Sequence, residues 1–132
     1  MMATHDHFAE ILRRVCAERG WEFTPHGVRV RFRSGRQQVV ELGFFEFEKE
    51  ELVRLHTTIG KIEELDPVRL TVALRINAEL PHGALAVMDD DLVMTDTLML
   101  DDADFGEIEA SINFLAETAD EYEQRLFDTD QY

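Results

Sequence analysis

Five histidines and one cysteine are the side chains of this sequence best suited to holding a metal or attacking a substrate, and their spacing favours neither. None of His5, His7, His26, His56 and His82 stands with a second His or an acid at the separation that helical zinc motifs use. His5-Asp6-His7 could hold a metal weakly, but residues at a helix start are equally suited to capping and solvation. Asp89-Asp90-Asp91 lacks the alternating oxygen ligands, central Gly and closing Glu of a calcium loop, so it reads as a hairpin turn. Gly-rich phosphate loops, Gly-x-Ser-x-Gly elbows and Cys-x-x-Cys pairs do not occur. Cys16 falls on the apolar face of an N-terminal helix, the setting of a buried inert thiol rather than a nucleophile. Acidic residues number 28 in 132, which makes any pair of them a weak sign of general acid-base work. The expectation is a protein that is not an enzyme and carries no metal or cofactor.

Asn77 is the polar residue that stands out, because it lies on the broad apolar face of a helix opened by Asp66-Pro67 and running to Leu80. A buried amide must find partners, so its expected task is to fix the helix position or the register of a dimer. On that helix Thr71, Arg75 and Glu79 make a narrow polar strip. Leu70, Val72, Ala73, Leu74, Ile76, Ala78 and Leu80 spread over roughly two-thirds of the circumference, where contact with one sheet needs only a ~100° stripe. A second surface, that of a twin subunit, is expected to cover the other side, with Val72, Ile76, Asn77 and Leu80 as interface candidates.

The elements around that helix follow from periodicity. Phe8, Ile11, Leu12, Val15 and Cys16 form a single apolar stripe on a first helix, capped by Thr4 or Asp6 and ending near Arg19 before Gly20. Glu10 and Arg14 are spaced for an exposed ion pair. Val28, Val30 and Phe32 alternate with Arg29, Arg31 and Arg33, a half-buried strand with a basic outer row that could meet acids of a neighbouring strand or of a partner. A second strand, from Gln37 to Phe47, shifts its apolar phase at Gly43 and Phe44-Phe45, which predicts a bulge at Gly43. The third, Leu52 to Ile59, places Val53, Leu55, Thr57 and Ile59 on one face. After the central helix, Pro81–Met88 and Leu92–Leu100 form a hairpin around Asp89-Asp90-Asp91, without the Gly usual at such turns. Asp104 and Glu107 fit a capping box, and Phe105, Ile108, Ile112, Leu115, Ala119, Tyr122 and Leu126 make a last helical stripe suited to lying across a sheet. Phe114 and Phe127 fall off the stripe as possible subunit or partner contacts, and Asp128 to Tyr132 are expected to fray.

Between Leu74 and Asp104 this pattern resembles a known family. An Asn in the helix, Leu80-Pro81-x-Gly83-Ala84-Leu85-Ala86, an acidic turn, Leu92-Val93-Met94, and Leu98-x-Leu100-Asp101-Asp102 before a long helix are similar to the class I type III secretion chaperones, the Tir-chaperone group. They are similar too to the wider secretion-chaperone-like fold, including the YbjN-like domains. The resemblance implies an α+β domain of order α-β-β-β-α-β-β-α with a twisted five-stranded antiparallel sheet, spanning residues 1–132. The middle helix would then lie at a two-fold dimer interface. It further implies a non-enzymatic homodimer holding an extended segment of a client protein against the first helix and the sheet. Phe8, Ile11, Leu12, Phe44, Phe45 and Phe47 are the client-binding candidates, though the same residues could be core. The alternative is a YbjN-like regulatory or stress-related module with no exported client.

Composition sets the outer limits. Thirteen basic against 28 acidic residues give a net charge of -15, which opposes nucleic acid and anionic lipid as partners. Apolar content of 45% with 3 Pro and 7 Gly suits one ordered domain. No run reaches the ~18 apolar residues of a membrane span, and the N-terminus does not resemble a signal peptide, so the expected location is the cytoplasm. A lone cysteine agrees with that reducing compartment.

Overall fold

A computed structural model describes residues 4–127 of the 132. The order is α1 (Thr4–Arg19), β1 (Glu22–Thr24), β2 (Gly27–Arg31), β3 (Gln37–Phe47), β4 (Glu50–Lys61), a 3-10 turn (Ile62–Glu64), α2 (Pro67–Asn77), β5 (Ala84–Met88), β6 (Asp91–Met99) and α3 (Phe105–Phe127). The strands form one antiparallel sheet in the order β1-β2-β3-β4-β6-β5. From β4 the chain passes through α2 to the outer edge at β5, and β6 returns between β5 and β4.

Six strands therefore stand where five were expected. The added one is β1, whose three residues are too few to show a period of two. It is held by a turn in which Thr24 Oγ1 accepts the N–H groups of His26 and Gly27, at 3.3 and 3.0 Å. Gly27 has to be glycine, because a Cβ there would stand 2.0 Å from the Val40 carbonyl oxygen. The basic row of β2 meets this strand: Arg29 and Arg31 both pair with Glu22. Cross-strand pairing thus absorbs two of the three arginines.

The bulge expected at Gly43 does not form. From Glu41 opposite His56 to Phe47 opposite Glu50 the β3–β4 register runs without a break, so Phe44 and Phe45 point to opposite faces. The irregularity lies in β4 instead, between Thr58 and Gly60 opposite β6. Two residues alone, Glu48 and Lys49, close the β3–β4 hairpin, both at positive φ (51° and 70°) and neither of them the usual Gly or Asn. The β5–β6 turn puts Asp89 at φ 54°, a left-handed position that Asp tolerates.

One face of the sheet meets the helices. Val28, Val30, Val40, Val53, Leu55, Ile59, Leu85, Leu92 and Met94 join the stripes of α1 and α3 in a single core. The stripe of α3 is buried as its spacing predicts from Ile108 to Leu126, with Phe105 partly covered at its start. Phe114 and Phe127, expected as outward contacts, both pack against that core. Thr4 and Asp6, the expected caps, lie inside the first turn of α1. Arg14 stacks over the Phe105 ring (6.0 Å) instead of pairing with Glu10. Asp128–Tyr132, expected to fray, lie outside the described residues. Among those described, no helix is long and apolar enough to cross a membrane.

Candidate protein-binding site

The client-binding candidates divide between the two sheet faces. Phe8 and Leu12 of α1 line a cavity of about 160 Å³ with Phe44 and Leu42 of β3 and with Phe23, Thr24, Pro25, His26 and Gly27 of the β1–β2 hairpin. Phe8 is buried in its floor, and its ring meets Phe44 edge to face at 5.9 Å. Phe44 remains 42% exposed and Phe23 41%, so the rim offers aromatic surface to water. His5 stacks on Phe44, with ring centroids 4.4 Å apart. Ile11 turns away into the core.

Phe45 and Phe47 lie on the opposite face because the register is continuous. Arg54 stacks over Phe45 at 4.4 Å, and Phe47 is 61% exposed at the hairpin tip. Phe23 and Leu42 join the groove beyond the six candidates. Phe23 was missed with its short strand, and Leu42 because the supposed bulge obscured the alternation that pairs it with Phe44.

The interface candidates on α2 face two ways. Asp66 caps the helix by accepting the Arg69 N–H at 2.8 Å, as Asp before Pro suggests. The helix ends at Asn77 rather than Leu80. Ala73 is buried, while Leu70, Ile76 and Leu80 pack against the domain's own core. Arg69 donates to the Leu126 carbonyl (3.0 Å) and ties α2 to the end of α3. Away from the core Val68 and Val72, one turn apart, are left exposed at 72% and 39%, and Leu74, on the opposite flank of the Thr71–Arg75 strip, at 70%.

Asn77 finds its partners on β5. Its Nδ2 donates to the Leu85 carbonyl at 3.0 Å and its Oδ1 accepts the Leu85 N–H at 2.6 Å. One side chain thus replaces a strand partner at the sheet's outer edge, which would otherwise present free backbone groups. Helix position is the expectation that this geometry meets.

The groups with chemical reactivity are subdued. Burial pushes the Cys16 thiol above its ordinary value, which disfavours the thiolate that a nucleophile needs. Burial, with the charge of Glu121 adding to it, raises Tyr122 as well. Among the described residues, no three His, Cys, Asp or Glu side chains are arranged to hold a metal ion.

A family model described as YbjN, a putative bacterial sensory transduction regulator, matches residues 9–128. No curated protein matches the chain. Among solved structures, the ExsC–ExsE complex contains a similar chain, with TM-score 0.65 and 13% identity over 96% of this chain and 97% of that one. The HopA1–SchA chaperone–effector complex matches with TM-score 0.56 and 8% identity, covering 96% and 98%. The Yersinia pestis type III secretion chaperone SycH, in complex with a stable fragment of YscM2, matches with TM-score 0.55 and 18% identity, covering 85% and 96%. At these identities the likeness is one of fold: the domain has the architecture found in secretion chaperones.

Proposed function

This chain belongs to the YbjN family, and on that premise we propose that it is a homodimeric, non-enzymatic, chaperone-like protein that holds an extended segment of a client. The observation that carries the proposal is the groove between α1 and the β1–β3 end of the sheet, where buried Phe8 and Leu12 lie beneath the half-exposed rings of Phe44 and Phe23. A short apolar side chain of an extended peptide would fit there. Two of the similar solved structures are named as chaperones, each in complex with another protein. Phe45 and Phe47, on the far face, would serve the same client only if it wraps around the hairpin tip. Of the candidates, Ile11 acts through the core.

The dimer would form across the outer side of α2. Val72 contacts the twin subunit with Val68 and Leu74, while Ile76, Asn77 and Leu80 hold the helix from behind. Three exposed aliphatic residues, Val68 and Val72 one turn apart and Leu74 across the Thr71–Arg75 strip from them, on a chain of net charge -15 support that use.

A second reading is favoured by the family description itself, a regulator of sensory transduction. In it the same surfaces bind a folded partner and no client is exported. The test is a pull-down of tagged protein from its native extract, with bound proteins identified by mass spectrometry and their segments then deleted. One partner, bound through a short extended segment and lost in Phe44→Asp, supports the chaperone reading. A folded partner that binds without any such segment supports the regulatory one.

A further inference from the structure

A larger cavity, about 320 Å³, lies away from the groove, between β6, the first turns of α3 and the Pro81-His82-Gly83 turn. Its lining mixes the apolar Leu98, Ala110 and Phe114 with the polar His82, Asp96, Glu107 and Ser111. Each polar group is placed by the fold. Gly83, at φ 64°, lies so near β6 that a Cβ would stand 2.7 Å from the Thr95 carbonyl oxygen, and this close approach sets His82 edge-on to Phe114 at 5.9 Å. Asp96 is oriented by two donors, the Ser111 hydroxyl at 2.8 Å and the Thr97 N–H at 3.0 Å. The Glu107 N–H is bonded to Asp104 at 2.8 Å, but the Glu107 carboxylate does not return the bond that a capping box would make. It lines the cavity instead.

Among the described residues neither Asp96 nor Glu107 has a cationic partner, although most of the chain's arginines are paired with acids or stacked on rings. Asp96 is bonded to Ser111, and Glu107 stands one turn before Ser111 on α3, so two carboxylates, an aromatic ring and the aliphatic Leu98 share one cavity, the receptor chemistry of a guanidinium or ammonium on an alkyl stem. A divalent metal is a poorer match, since no three ligands converge there among the described residues. The acidic field of the whole chain would draw such a ligand in. We propose that the cavity bounded by Asp96, Glu107, His82 and Phe114 binds an alkyl-guanidinium or alkyl-ammonium group, with the charge between the two carboxylates and the stem against Leu98 and Phe114. This site stands apart from the α1–β3 groove and does not depend on the client-binding reading.

Agmatine is the probe. Titrated into the full chain and followed by amide chemical shifts, it should move Glu107, Ser111, Phe114 and the 82–83 turn and leave Phe8, Phe23 and Phe44 in place. Glu107→Gln, at an exposed position, should weaken binding by roughly ten-fold, the loss of one charge-assisted contact. Glu107→Lys should abolish it by placing a cation in the cavity, and both variants should keep the fold. A capped Ala-Arg-Ala peptide separates two sources of the same chemistry. Binding as tight as agmatine marks an arginine side chain of a polypeptide, and much weaker binding marks a free small cation. Shifts spread over the acidic surface at millimolar agmatine, or unchanged in Glu107→Gln, would overturn the proposal.

Discussion

Helices α2 and α3 contribute to the same core and both read as apolar in the sequence, yet they are covered differently. Every stripe residue of α3 from Ile108 to Leu126 is buried within the chain, whereas α2 buries only Ala73 and leaves Val68 and Leu74 about as exposed as surface residues. The stripe of α3 is one helix face wide, enough for one sheet. The apolar surface of α2 is wider than its own domain can use. A helix that is apolar beyond one face signals a second surface, and its inward half says little about what that surface meets.

Substitution in α3 should have the largest effect. Leu115→Ala empties a fully buried site and is expected to cost about 2–5 kcal/mol, read from urea unfolding. A cost below ~1 kcal/mol would mean that the stripe is not the core seam. Next comes the link between α2 and the sheet edge. Asn77→Ala leaves both backbone groups of Leu85 without their partner, so a loss of roughly 1–3 kcal/mol is expected, together with faster amide exchange at Leu85. Unchanged exchange there would show that the edge is protected by something else.

Leu74→Asp should barely alter the unfolding free energy of the isolated subunit, within ~0.5 kcal/mol, since the side chain is 70% exposed. Its effect should appear in assembly alone. Ile76→Asp would confuse the two, because Ile76 packs against the core and a charge there disturbs folding as well. The smallest effect is in alkali. Cys16 and Tyr122 are both held above their ordinary values of 9.0 and 10.0, so the fold favours their protonated forms. Their contribution is complete below those ordinary values and declines as pH rises through the folded ones. Unfolding midpoints should therefore fall above about pH 9 by more than in Cys16→Ala.

What could be read from the residues follows the same division. Where one face is buried the period is strict, so α1, α3, β2 and the inward row Val53, Leu55, Thr57 and Ile59 were legible. β1 was not, since it is defined by a turn and by Glu22 meeting two arginines rather than by alternation. The aromatic run at Phe44-Phe45 misled for a different reason. Near the hairpin tip both faces of β3 are apolar, and a sequence apolar on both sides looks like a phase slip. This split the six groove candidates, leaving Phe8, Leu12 and Phe44 together. Asn77 was visible as an anomaly, but its partner was not, because an amide bonding to a strand edge leaves no spacing signal.

Sedimentation equilibrium of the purified chain beside its Leu74→Asp variant reads the use of the outer side of α2 without interference from folding. Twice the chain mass is expected for the parent and the single-chain mass for the variant, with the helical content of both alike. A parent that remains a single chain at high concentration, or a variant that still dimerises, would contradict the assignment of the outer face of α2 to a twin subunit.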